Sequence, residues 1–190
     1  MKELSLNILD IAENSLKAEA TLTEISLREE NDLLTMTITD NGRGMTPEIL
    51  KRVTDPFTTT RTTRKVGLGI PLLKLAAEQT GGHVDIVSKH KDEFPDDHGT
   101  VVTAVFHEDS IDFPPIGDVI STVITLIQGH PDVDILFTHI AKGLDVRLDT
   151  REMREVLGGV PLSEPEVLMW ARESLAEQYR AGDKGSVYIG

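Results

Sequence analysis

Apolar residues fall at helical spacing near the start of the chain. Leu4, Ile8, Ile11 and Ala12, with Ser15, share one side of a helix predicted over residues 2–18. The period then changes from helical to alternating. Residues 22–28 and 33–39 alternate apolar and polar around Glu30-Asn31-Asp32, which predicts a hairpin. A short helix over 47–52 and a longer one over 68–79 follow, and Gly81-Gly82 stops the second. Strands over 83–88 and 101–106 are joined by a charged stretch whose Phe94-Pro95-Asp96-Asp97 is turn-like. These elements predict an α+β fold over residues 1–110: a two-layer α/β sandwich, with a mixed sheet covered by helices on one face. Phe113-Pro114-Pro115 marks a joint before residues 111–190, read as a small α/β C-terminal extension of unassigned role. The extension opens with a helix over 116–128 that turns Ile116, Val119, Ile120, Val123, Ile124 and Ile127 inward. A hairpin over 132–140 and 144–148 turns at Lys142-Gly143, and two helices close the chain. For the last, over 164–179, Ser163 and Glu166 predict a capping box, and Val167, Met169 and Trp170 read as core.

Composition narrows the classes. A chain of 190 residues, 39% hydrophobic, is long enough for a substantial core. There is no cysteine, which excludes disulfides and thiolate metal sites. The net charge of −13, from 19 basic and 32 acidic residues, argues against broad binding to nucleic acid or to anionic membranes. No apolar run approaches the ~20 residues of a membrane span, and the start lacks the layout of a signal peptide. A cytoplasmic location without membrane insertion is the expectation. Asp145, Asp149, Glu152 and Glu155 read as a solvated face, and the six histidines show no metal-ligand spacing.

Candidate chemistry collects in four places. After the 33–39 run stand Asp40, Asn41, Gly42, Arg43, Gly44 and Met45. An aspartate can accept from an exocyclic amine, and two glycines let a flat aromatic ring lie against backbone, so this segment suits an adenine pocket. On the first helix, Asn7, Asp10 and Asn14 occupy a different side from the apolar stripe. The Asn14 amide oxygen can join phosphate oxygens around Mg²⁺, and Asp10 can orient or deprotonate a water. A third segment runs from Phe57 through Arg61, Arg64 and Lys65 to Gly67, Leu68 and Gly69. It sits in an acid-free stretch from Pro56 to Ala77, which suggests a bound anion facing the start of a helix. Last, Thr100 at the head of a strand could place a hydroxyl beside a purine.

In this order the pieces resemble the nucleotide-binding domain shared by gyrase, heat-shock chaperones of the ninety-kilodalton class, histidine kinases and mismatch-repair ATPases, the GHKL superfamily with its Bergerat fold. The run Glu13-Asn14-Ser15-Leu16-Lys17-Ala18-Glu19-Ala20-Thr21 looks like the mismatch-repair form of the asparagine motif. Asp55-Pro56-Phe57 and Gly67-Leu68-Gly69-Ile70 look like histidine kinases. The resemblance implies ATP and Mg²⁺ as cofactors. Asn14 then holds the metal, Asp40 reads the adenine amine, Gly42 and Gly44 shape the pocket, and Gly67 and Gly69 serve the phosphates under a mobile lid. Where the gyrase and mismatch-repair branches carry a glutamate one turn before the asparagine, this chain has the shorter Asp10.

The use of the ATP is less legible. Thirteen residues precede Asn14 and none is histidine, so the expectation is a free-standing ATPase or kinase that acts on a separate, unidentified protein, as anti-sigma serine kinases do. The alternative is a regulatory module that binds ATP or ADP with little turnover.

Overall fold

A computed structural model of the chain describes residues 3–54 and 69–182. Its elements are α1 (Leu4–Lys17), β1 (Leu22–Glu30), β2 (Leu33–Asp40), α2 (Pro47–Thr54), α3 (Gly69–Gln79), β3 (His83–Lys89) and β4 (Gly99–His107), followed by α4 (Val119–Gly129), β5 (Asp134–Ala141), β6 (Leu144–Asp149), α5 (Thr150–Leu157) and α6 (Pro165–Ala181). One six-stranded sheet runs in the order β3-β4-β2-β1-β5-β6. It is mixed: β1 pairs with β5 in parallel, and every other neighbouring pair is antiparallel. This is the α+β architecture that the change of period predicts.

Alternation decides which face the helices cover. Ile25 and Leu27 on β1, Leu34, Met36 and Ile38 on β2, and Ala104 and Phe106 on β4 are all buried, while the residues between them stay half-buried or exposed. With a side-chain period of two, those buried positions form one continuous apolar floor. Helices α1, α3, α4 and α6 lie side by side in contact with one another or with the strands. Burial of Leu4, Ile8, Ile11 and Ala12 matches the stripe read from the sequence.

The strands of residues 111–190 continue the same sheet, because β5 docks on β1 from Leu22↔Asp134 to Arg28↔Ile140. The segment that leads into α4 also completes the start of α1. The first amides of a helix lack internal partners, and here Leu4 N–H and Ser5 N–H donate to the carbonyls of Pro115 and Ile116 at 2.9 and 2.8 Å.

Several local expectations are corrected. Helix α4 starts at Val119 instead of residue 116, because Gly117 takes the left-handed conformation (φ +79°) and Asp118 caps the helix by accepting from Ser121 N–H at 2.8 Å. The Ser163/Glu166 capping box does not form. Glu164 holds the N-cap position without a side-chain bond, and Pro165 starts α6 with its φ pre-set. Met169 and Trp170 are not core, at 65% and 55% exposed, since the buried stripe of α6 runs through Val167, Leu168, Ala171, Leu175 and Tyr179. Asp149 is not solvated either. It is 5% exposed, caps α5 through Arg151 N–H at 3.0 Å, and pairs with the guanidinium groups of Arg147 and Arg151 at 3.0 and 2.8 Å. Those bonds hold its carboxyl below the usual carboxylate range, the Arg151 side chain being the main cause. Asp145, Glu152 and Glu155 are exposed as read.

Candidate functional site

Helix α1, the end of β2 and the start of β4 converge on a cavity of about 190 Å³. Its polar lining is Asn14, Ser15, Asp40, Arg43 and Thr100, and its apolar lining includes Ile11, Met45, Ile49, Ile70 and Val102. Ligand pockets commonly measure ~300–1,000 Å³. The described residues therefore frame about the volume of a flat ring system, with both polar and aliphatic groups in its lining.

Asp40 ends β2 at 9% exposed, and its Oδ1 accepts from Gly42 N–H at 2.9 Å. That bond leaves the second carboxylate oxygen as the acceptor for a ligand amine. The glycine motif is pinned on both sides. On one side, Arg43 N–H donates to Ala18 O at 2.8 Å, and Asn41 Oδ1 accepts from the Thr21 and Leu22 amides at 2.9 and 3.0 Å. On the other, Lys91 N–H donates to Arg43 O at 2.9 Å, and His98 Nδ1 lies 2.5 Å from Gly42 O. A Cβ on Gly42 would sit 2.7 Å from Ala18 O, so glycine lets the turn after β2 lie close against the end of α1.

Thr100 stands opposite Asp40 in the β2–β4 ladder. Its Oγ1 is 2.8 Å from Ser88 Oγ, which also accepts from Met45 N–H at 2.8 Å. Ser88 ties the glycine motif to the strand that carries Thr100, and the sequence reading did not single it out. The cross-strand register that brings it there is not visible in a local pattern, nor were Ile49 and Ile70 chosen for the cavity wall.

The residues read on α1 divide. Asn14 lines the cavity, Asn7 is buried elsewhere at 8% exposed, and Asp10 is exposed outside the lining. Gly69, the first residue of α3, abuts Asp10, because a Cβ on it would stand 3.1 Å from Asp10 Cβ. Glu13 faces the other way, its Oε1 3.2 Å from Nε2 of His130 at the end of α4. Phe57, Arg61, Arg64, Lys65, Gly67 and Leu68 lie outside the described residues.

Among the described residues no group of three or more His, Cys, Asp or Glu side chains could hold a metal ion. The donor set fits Mg²⁺ only in company with a ligand: it suits an ion that keeps several waters and takes its other oxygens from phosphates. No described helix is long and apolar enough to cross a membrane.

The family comparison agrees with the fold. Residues 2–110 match the family described as histidine kinase-, DNA gyrase B-, and HSP90-like ATPase. Over 90 residues the chain is 28% identical to a Rickettsia conorii protein described as an NtrY-like sensor histidine kinase, covering 47% of this chain and 15% of that protein. A Rickettsia bellii relative with the same description matches to the same extent. The matched stretch is thus a small part of those relatives. Among solved structures, the Aquifex aeolicus MutL ATPase domain complexed with ADP is 16% identical with a TM-score of 0.48, covering 80% of this chain and 67% of that one. The mycobacterial sensor histidine kinase MprB is 22% identical with a TM-score of 0.32, covering 44% and 57%. The family match spans more than half of the chain, and the chain belongs to the histidine kinase-, DNA gyrase B- and HSP90-like ATPases.

Proposed function

We propose that this chain binds ATP with Mg²⁺ in the cavity between α1 and the ends of β2 and β4, and uses it as an ATPase or kinase acting on a separate protein. One observation carries the reading: Asn14, Asp40, Gly44, Met45 and Thr100, far apart in sequence, line one cavity. Asp40 takes the adenine amine, Gly42 and Gly44 bring backbone close to the ring, and Thr100 contributes a hydroxyl at the base. Asn14 offers its amide oxygen to Mg²⁺ on the phosphate side, where Gly69 heads α3. Phe57, Arg64, Lys65, Gly67 and Leu68 are assigned to the phosphates and their cover on the strength of the acid-free stretch in the sequence. Asp10 is the candidate for activating the attacking group, lying beside Gly69. The protein acted on, a signalling role and a cytoplasmic location all belong to this proposal.

A specific observation favours slow turnover. Asp10 is exposed and outside the cavity lining, and Glu13 is engaged by His130. A nucleotide-dependent regulatory module with little hydrolysis is therefore the second reading. Calorimetric titration with ATP and Mg²⁺, followed by measurement of phosphate release, decides between them. Binding with turnover abolished in Asp10→Asn supports the enzyme. Binding with neither phosphate release nor transfer of labelled phosphate to protein of a cell extract, each against a control without this chain, supports the module, and absence of binding removes both.

A further inference from the structure

Four adjacent strands set a row of polar side chains across the sheet, and its two middle members, Asp40 and Thr100, line the cavity. Thr23 on β1 is opposite Asp40 on β2, Asp40 is opposite Thr100 on β4, and Thr100 is opposite Ser88 on β3. Directly opposed residues in an antiparallel pair share a face, with Cβ atoms about 4.5–5.5 Å apart. Three members of the row have partners: Ser88 and Thr100 bond each other, and Asp40 accepts from Gly42 N–H. The fourth has none. Thr23 is 1% exposed, and its Oγ1 is the buried side-chain oxygen or nitrogen without a hydrogen-bond partner among the described residues.

A buried hydroxyl without a partner destabilises the protein that carries it. Valine has the same shape, an equal preference for strands and no such penalty. Thr23 does not line the cavity, so it does not meet the ring itself. What it faces is Asp40, whose second carboxylate oxygen is free of the Gly42 bond. A threonine hydroxyl rotates to suit an acceptor, and a bond from it to a carboxylate is of the stronger, charge-assisted kind.

We propose that Thr23 is the positioning residue for Asp40: once nucleotide occupies the cavity, its hydroxyl donates to the Asp40 carboxylate, directly or through one enclosed water, and fixes the acceptor that reads the adenine amine. The proposal rests on the adenine-binding reading above. Thr23 therefore affects discrimination between bases more than it affects the fold.

The test compares Thr23→Val and Thr23→Ser with the parent chain. Affinities for ATP and for inosine triphosphate, in which a carbonyl replaces the amine, are measured by calorimetry, and thermal midpoints are taken without nucleotide. Thr23→Val should keep or raise the nucleotide-free midpoint while losing about tenfold or more in ATP affinity, as expected for a hydrogen bond to a charged group. Its preference for ATP over inosine triphosphate should shrink by a similar factor, and Thr23→Ser should restore both within about twofold. Unchanged ATP affinity in Thr23→Val overturns the proposal, as does an equal loss for both nucleotides or a failure of Thr23→Ser to rescue. Failure of the parent chain to bind ATP at all would instead remove the adenine-binding reading, which is a different result.

Discussion

Gly44 adopts φ +70°, and a Cβ at that position would stand 2.0 Å from the Lys89 carbonyl oxygen. The second glycine of the motif is therefore required twice, by its own backbone and by the strand end that passes over it. Gly44→Ala should lower stability by roughly 1–3 kcal/mol, the usual range for a strained left-handed residue, and chemical denaturation will measure it. Asn14 makes a different demand, since its amide oxygen is proposed as a metal ligand. Asn14→Ala should leave the fold unchanged and make ATP affinity insensitive to Mg²⁺, whereas affinity in the parent should fall when Mg²⁺ is chelated. Equal Mg²⁺ dependence in both proteins would move the metal elsewhere. At this scale the motif residues were legible because each has a local signature: an aspartate before two glycines, an asparagine on a helix face, a Gly-Thr at a strand head. Thr23 and Ser88 have none. Their place beside Asp40 and Thr100 comes from strand register, which residues 12 to 43 positions apart in sequence settle only on folding.

Elements whose hydrophobic period is regular were read to within a few residues, and the errors sit where side-chain chemistry overrides the period. Residues 116–118 continue the helical spacing of α4, yet Gly117 and the Asp118 cap begin the helix later. Trp170 was read as core by residue type, although it falls off the stripe that α6 buries. Asp149 reads as part of a solvated face with Asp145, Glu152 and Glu155, although arginines flank it in sequence. In the fold Arg147 and Arg151 turn onto it while it caps α5. Replacing Asp149 by alanine should cost about 0.5–2 kcal/mol for the lost cap alone. The pH dependence has a definite sign. Because the folded carboxyl titrates below its unfolded value of about 3.9, its contribution is fully present above that value and is lost as pH falls through the lower folded value. Acid unfolding followed by circular dichroism should show a gap between the parent and Asp149→Asn that is constant at neutral pH and narrows below about pH 4. A constant gap down to the acid transition would mean that the arginines do not depress this carboxyl.

At the scale of the whole molecule, residues 111–182 do not hang from the first 110 residues but extend their sheet. The parallel β1–β5 ladder, α4 against α1, and the bond from Thr122 Oγ1 to Ser5 O at 3.2 Å join the two lengths of chain. The Phe113-Pro114-Pro115 turn signals a break in secondary structure, and periodicity carries no information about which strands pair, so this continuity was not visible in the sequence. A chain cut after residue 110 would expose the β5 side of β1 and the face of α1 that α4 covers. It should unfold well below the intact protein in calorimetry, and the intact protein should unfold in a single transition. Two separate transitions would show that the later residues form an independent unit. The central claim remains that Asp40 reads adenine in the cavity beside Asn14. Calorimetric titration of ATP with Mg²⁺ into the parent and into Asp40→Asn tests it most directly. The account predicts one site in the parent and an affinity at least about tenfold weaker in a folded Asp40→Asn, because the amide turns a donor toward the adenine amine in a desolvated pocket. Equal affinity in the two proteins would contradict it.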